Sequence, residues 1–288
     1  MWLEAIVVNI LIHSVQRTSG FVNLAHTPDQ TLQGNASWNV APHDSSWTAD
    51  KAVDGNTKQD HLPTCAIADY NRNYKSVWWK VWLNRKFNIA YLEIYLRSGT
   101  TSRATGFYIY TYEDELYVPP TGNTGSLVYH HNPMSGCPTS LQNITVNKLA
   151  QGVAFFNERL AGFKSSCSGA EVTRTSVEIC EVRVMGCEQN RYHFGCTNAC
   201  SVKCKDRHCD AFNGSCIYGC SDPSAMSLDC IVCDDGTHAV DGICEQCGHC
   251  KDDTQCDKET GSCSTGCKEN WIGNLYPEAD VRCEYLLG

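Results

Sequence analysis

The hydrophobic positions of the chain fall into short runs separated by polar turns. "WWKVWL" at 78–83, "YLEIYL" at 91–96, "GFYIYTY" at 106–112, "LVYH" at 127–130 and "VEICEVRVMG" at 177–186 are rich in aromatic and β-branched residues, several of them alternating with polar ones. That alternation puts one face of a strand inward and the other outward. "DGN", "RSG", "PPTGNTG" and "NPMSG" lie between the runs. Gly, Pro, Asn and Asp clusters of this kind form turns. The pattern predicts an all-β domain over residues 22–187, a sandwich or barrel of short antiparallel strands. Helical spacing is poor, and only "ADKAV" at 49–53 has room for a turn or two of helix.

At Cys187 the alternation stops and cysteine recurs every few residues. "CDAFNGSCIYGC" at 209–220 aligns without gaps on "CDKETGSCSTGC" at 256–267. Extending that repeat outward gives one unit over 187–230, from Cys187 through Cys196, Cys200, Cys204, Cys209, Cys216 and Cys220 to Cys230. A second unit over 233–283 runs from Cys233 through Cys244, Cys247, Cys250, Cys256, Cys263 and Cys267 to Cys283. Units with so few apolar residues cannot build a core and need covalent staples, each worth roughly 2–4 kcal/mol. The C-x-x-C pairs, with His193 and His208 nearby, also admit zinc or redox chemistry, but a disulfide repeat accounts for all sixteen cysteines without a metal. The connectivity inside the units stays open.

Composition fixes the compartment. The chain of 288 residues holds 20 cysteines, none before Cys65. An even, regularly spaced set points to an oxidising environment. "AIVVNILI" near the N-terminus is too short to span a bilayer, and "TSG" follows it. Residues 1–20 therefore read as a signal peptide, with a buried first strand as the alternative. Sequons at Asn35, Asn143 and Asn213 agree with secretion. No apolar run reaches membrane-spanning length, so the chain is expected to be secreted or to be the outer part of a longer receptor. A net charge of −9 and a pI near 5.5 exclude the basic stripe of a nucleic-acid binder.

An ordered set of motifs runs through the β half: "NLAH" at 23–26, "ADKAVDGN" at 49–56, a cysteine at 65, "WWKVWL" at 78–83 and "ICEVRVMGC" at 179–187. Together they resemble the F-type lectin domain, a jelly-roll β-sandwich of the galactose-binding-like group, over about 22–187. The cysteine units resemble EGF-like modules of the laminin-like and multiple-EGF kind. The lectin resemblance implies a calcium ion in the "AVDGN" loop, held by carboxylates of Asp54 and Glu181 and by oxygens of Lys51, Asn56, Thr64 and Cys180. Six to eight oxygens with two carboxylates suit calcium, whereas a plain hairpin turn is the other reading of Asp54-Gly55. The resemblance also implies a Cys65–Cys180 bridge that pins the last strand to this loop. Cys137 and Cys167 then remain and pair by elimination.

The family's fucose site uses a His two residues after the first Cys, an Arg-x-Asp step and a second basic residue. Here Ile67 stands at the His position and Gly99 at the Asp position, while Thr100 and Thr101 replace a vicinal cysteine pair. Arg97 and Arg103 remain, one residue closer together than in the family pattern. They are expected to form surface ion pairs, to serve an altered glycan site with Tyr95 and Tyr108, or to bind a protein or lipid ligand at the same loop end. No Gly-x-Ser-x-Gly elbow, HExxH motif or phosphate loop is present. Adjacent His130 and His131 read as loop or surface residues, and Glu113 and Asp114 as a solvated acidic turn. The sequence therefore points to a non-enzymatic, calcium-binding, lectin-like protein that recognises glycans or cell-surface glycoproteins. The alternative is a structural or receptor ectodomain making protein contacts.

Overall fold

The computed structural model describes residues 20–120, 125–225, 228–240, 243–251, 256–263, 265–269, 271–273 and 283–285. The expected signal segment lies outside them, apart from Gly20. Eight antiparallel strands build the β half: β1 (Val22–Asn23), β2 (Asn35–Trp38), β3 (Ala66–Ile67), β4 (Ser76–Leu96), β5 (Tyr108–Tyr112), β6 (Gly125–His130), β7 (Leu141–Glu158) and β8 (Glu178–Glu188).

Two of these strands are much longer than the runs suggested. "WWKVWL" and "YLEIYL" belong to one strand of 21 residues, β4, and β7 extends over 18 residues that none of the aromatic runs marked. Both strands serve two layers. The first part of β4 pairs with β2 and with the last part of β7, which continues to β5 and β6. The second part of β4 pairs with β8 and with the first part of β7. The corner is the register shift between Trp82 and Phe87, where Asn84 adopts φ 64°. A bulge of this kind bends a strand from one layer to the next.

The inward positions of both layers form a single core. Val77, Trp79 and Val81 come from one layer, Ile89, Leu92 and Ile94 from the other, and all are almost wholly buried. The Trp79 indole N–H donates to the Ala49 carbonyl at 3.0 Å, fixing the Ala49–Val53 turn of 3₁₀ helix against the core. The expected all-β antiparallel sandwich is thus the observed architecture.

The cysteine-rich part has a different interior. Its buried positions in the first unit are chiefly Cys200, Cys204, Cys209, Cys216 and Cys230. Bridges join Cys187–Cys196, Cys200–Cys209, Cys204–Cys216 and Cys220–Cys230. The second unit repeats the pattern with Cys233–Cys244, Cys247–Cys256 and Cys250–Cys263. No C-x-x-C pair closes on itself, and no described bridge crosses between the units.

The first unit is docked on the sandwich. Cys187 lies in β8, so its bridge to Cys196 ties the last strand to the unit. The buried Asn88 amide donates to the carbonyls of Arg191 and Cys209, both at 3.0 Å. The Leu149 N–H donates to the Tyr218 hydroxyl at 2.7 Å, and Phe21 packs edge-on against Phe212. Asn35, Asn143 and Asn213 are exposed. No described helix is long and apolar enough to cross a membrane.

Candidate functional site

Two neighbouring places answer to the residues singled out in the sequence, and the Cys65–Cys180 bridge stands between them. The first is the loop after the Ala49–Val53 turn. Gly55 takes φ 83°, and a Cβ there would come within 2.9 Å of the His26 ring, so only glycine fits. The Gly55 N–H donates to Oε2 of Glu181 at 3.1 Å. The other oxygen of Glu181, Oε1, is buried with no hydrogen-bond partner among the described residues. Burial first, then the negative charge of Asp54, push the Glu181 carboxyl up to about 8.

Two carboxylates face each other here with one buried oxygen unmet. A buried polar atom of this kind costs about 1–3 kcal/mol unless it is paired. Asp54 also has the Lys51 ammonium at 3.6 Å and accepts from the Asn56 N–H at 3.0 Å. The Thr64 hydroxyl lies 2.8 Å from the Lys58 carbonyl and 2.7 Å from that of His61. Its single hydrogen can serve only one of them. Thr64 precedes Cys65, whose bridge reaches Cys180, the neighbour of Glu181 in β8. Two acidic side chains with one buried oxygen unmet offer the oxygen ligands that a hard divalent cation takes. Lys51 offers its ammonium to Asp54, a contact the sequence did not suggest.

The second place is a cleft of about 270 Å³ lined by His43, Trp47, Ile67, Tyr70, Arg97 and Arg103, among others. Strand register builds it. Ile67 of β3 pairs with Glu178 at the start of β8, and Leu96 at the end of β4 pairs with Ile179. Arg97 therefore leaves β4 next to Glu178. Its guanidinium donates to Oε2 at 2.8 Å, Arg103 donates to Oε1, and the Thr100 hydroxyl donates to Oε2 at 2.8 Å. The Glu178 side chain is only 4% exposed, whereas those of Arg97 and Arg103 are 26% and 29% exposed. The two arginines do form ion pairs, but with a buried carboxylate at the floor of a cleft.

The wall is aromatic. The Arg103 guanidinium lies 3.8 Å from the Tyr70 ring centroid and that of Arg174 3.9 Å. At those distances the two must cover opposite faces of the ring. Trp47 and His43 stack at 5.6 Å. The backbone of Arg103 is fixed from behind: its carbonyl accepts from Asn157 Nδ2 at 3.1 Å, Arg159 Nη2 at 3.1 Å and Thr175 Oγ1 at 3.3 Å. Burial lowers Arg159 to about 10, which leaves it charged at neutral pH.

Tyr95 and Tyr108 do not join this cleft. The Tyr95 ring packs beside the Cys65–Cys180 bridge, and its hydroxyl sits 3.2 Å from Glu93 and 3.4 Å from Arg183. Tyr108 lies on the outer face of the other layer, stacked on His130 at 4.0 Å. His131, read as a surface residue, is buried and stacks on Phe107. Glu113 is exposed and pairs with Lys86 at 2.7 Å.

Glu178, Tyr70, Trp47 and His43 were missed. No motif marks them. Only the place of Glu178 two residues before Cys180 could have drawn attention to it.

No protein-family model matches the sequence, and no curated protein is significantly similar to it. Among solved structures, the chain is similar to a fucolectin from striped bass (Morone saxatilis) serum. The identity is 19% and the TM-score 0.44, over 58% of this chain and 49% of that one, so the chain spans about half its length. It is similar also to the lectin domain of Lectinolysin complexed with Lewis B antigen, with 16% identity and a TM-score of 0.41 over 58% of this chain and 97% of that one. A fucose-binding module of Streptococcus pneumoniae matches at 19% identity and a TM-score of 0.40, over 57% and 97% of the two chains.

Other places carry less chemistry. A larger cavity of about 590 Å³ lies between β5–β7 and the first cysteine unit, but the charges there do not converge: Glu113 is held by Lys86, and Lys148 by Ser126 at 2.6 Å. His238, Cys247 and Cys256 come together as potential metal ligands, yet the two cysteines are bonded to each other and have no thiolate to offer.

Proposed function

We propose that the protein is an extracellular recognition protein of the lectin type, binding a glycan or a cell-surface glycoprotein through the Arg97–Arg103 cleft. The convergence of both guanidiniums on buried Glu178, beside Trp47 and Tyr70, carries this reading. Fixed guanidinium forks next to aromatic surface recognise sugars by hydrogen bonding on one side and apolar contact on the other. The cleft is slightly smaller than the roughly 300–1,000 Å³ of drug-sized pockets, in keeping with one sugar ring.

Calcium belongs to the same reading. It would be held by the Asp54 and Glu181 carboxylates with oxygens of Lys51, Asn56, Thr64 and Cys180, and it would supply positive charge to stiffen the loop. The unpartnered Glu181 oxygen supports that assignment. The cysteine units would act as an EGF-like stalk, and their bridges agree with an oxidising compartment.

The test is a glycan array on the full chain and on its Arg97→Ala variant. Signals that the substitution removes are the expected result. Silence from a folded, calcium-loaded chain would overturn the glycan reading. It would favour an ectodomain making protein contacts, for which one observation speaks: Trp78, Tyr108, Tyr110 and His130 line the outer face of the layer that contains β5 and β6.

A further inference from the structure

Resting on the glycan reading, we infer that the cleft selects an acid-bearing sugar, whose carboxylate or sulfate sits against the unspent edges of Arg97 and Arg103. The argument is a count of donors and acceptors. A guanidinium has five N–H donors in a rigid fork and no acceptor. Arg97 and Arg103 each direct one nitrogen at Glu178, and among the described residues neither has another carboxylate or carbonyl partner for its side chain. Both remain partly exposed at the cleft.

The acceptors are already engaged by the protein instead, with few lone pairs left over. Both oxygens of Glu178 are taken by the two arginines and Thr100. Asp69 accepts from the Asn71 N–H at 3.1 Å and from Arg72 at 3.3 Å, with His43 at 3.5 Å. Glu171 is held by Arg174 at 3.1 Å and by the Tyr70 hydroxyl. Every carboxylate around the cleft therefore already has protein donors.

A neutral sugar would bring many hydroxyl hydrogens to a site with no free carboxylate to receive them. Each buried hydroxyl left unmatched lowers affinity. A sulfate or carboxylate brings acceptors only, and it meets a guanidinium edge in charge-assisted, bidentate geometry.

Charge points the same way. Arg97 and Arg103 are the charged side chains lining the cleft, and both pair with the one carboxylate of Glu178, an excess of one positive charge at its floor. The whole chain carries −9, so this spot is positive on an acidic protein. The Glu178 carboxylate holds the arginines in place without cancelling both.

The test is calorimetry on the full chain with 3′-sialyllactose for the carboxylate, 3′-sulfolactose for the sulfate, and lactose and 2′-fucosyllactose as neutral probes. At least one acidic probe is expected to bind tenfold or more tightly than both neutral ones, with the advantage shrinking as salt rises from low to high concentration. Which acidic probe wins identifies the anion. Arg103→Gln is expected to bring the acidic probe down to the lactose level. Arg103→Lys, which keeps a charge to pair with Glu178 and so guards against misfolding, is expected to lose most of the advantage because the fork is gone.

Equal or tighter binding of a neutral probe would overturn the acid preference while leaving glycan recognition standing. So would an acid advantage that survives both Arg103 substitutions. No heat from any of the four sugars, in a chain with native circular dichroism, would remove both.

Discussion

The β-sandwich and the cysteine units solve the same problem by opposite means. The sandwich buries a continuous set of Val, Ile, Leu, Phe and Trp side chains between two layers, with Trp79, Phe87 and Phe107 wholly enclosed. The first cysteine unit encloses mostly its own sulfur atoms. Burial of apolar area stabilises the first at about 25 cal/mol per Å². Cross-links stabilise the second largely by limiting its unfolded state. A cleft with fixed charges needs the rigid frame of the first kind. The Arg97–Glu178–Arg103 cluster hangs on strand register, and nothing comparable is seen among the described residues of the second.

Reduction should separate the two regions most sharply. Seven described bridges lie at or beyond Cys187. With roughly 2–4 kcal/mol at stake for each, dithiothreitol is expected to abolish amide protection over 196–263 in hydrogen-exchange mass spectrometry. Central amides of β4 and β7 should stay protected. Parallel loss in both regions would mean that the sandwich depends on the bridges as well.

The converse experiment is Trp79→Ala, which removes a fully buried indole and its hydrogen bond to Ala49. The cost should be about 3–5 kcal/mol in urea unfolding of the sandwich, while peptide mapping should still find the Cys200–Cys209 and Cys204–Cys216 pairs.

Calcium is expected to act on the sandwich alone. At a hundredfold excess over its dissociation constant it would add about 2.7 kcal/mol, read as a higher melting temperature that chelator reverses. Asp54→Ala should abolish that difference. A chelator effect that persists in this variant would place the ion elsewhere.

The smallest effect concerns the join. Tyr218→Phe leaves the Leu149 N–H without its acceptor. That should cost about 1 kcal/mol and raise exchange near Leu149 without changing the sandwich midpoint beyond that amount.

Much of this was legible along the chain. The alternating runs gave the strands, and the seven described bridges at or beyond Cys187 stay within the units read from the gapless repeat of Cys209 and Cys256. The loop at Asp54 and the strand at Glu181 were visible as motifs, because their residues are contiguous. The lengths of β4 and β7 were not. A strand that turns a corner breaks its alternation at Asn84, and a broken pattern looks like two strands. Tyr95 and Tyr108 were placed by proximity in sequence, but side-chain direction depends on register and face, and both point away from the cleft.

By itself the sequence determined the all-β class and the contrast between a core-forming half and a cross-linked half, and it marked Asp54 and Glu181 in contiguous motifs. These follow from local periodicity and residue chemistry, which adjacent positions carry. Only the tertiary structure decided that Glu178, 81 and 75 positions away from Arg97 and Arg103, closes on both, and that Tyr70 lies between Arg103 and Arg174. Those meetings come from strand pairing across the sheet, a long-range property that no local pattern encodes.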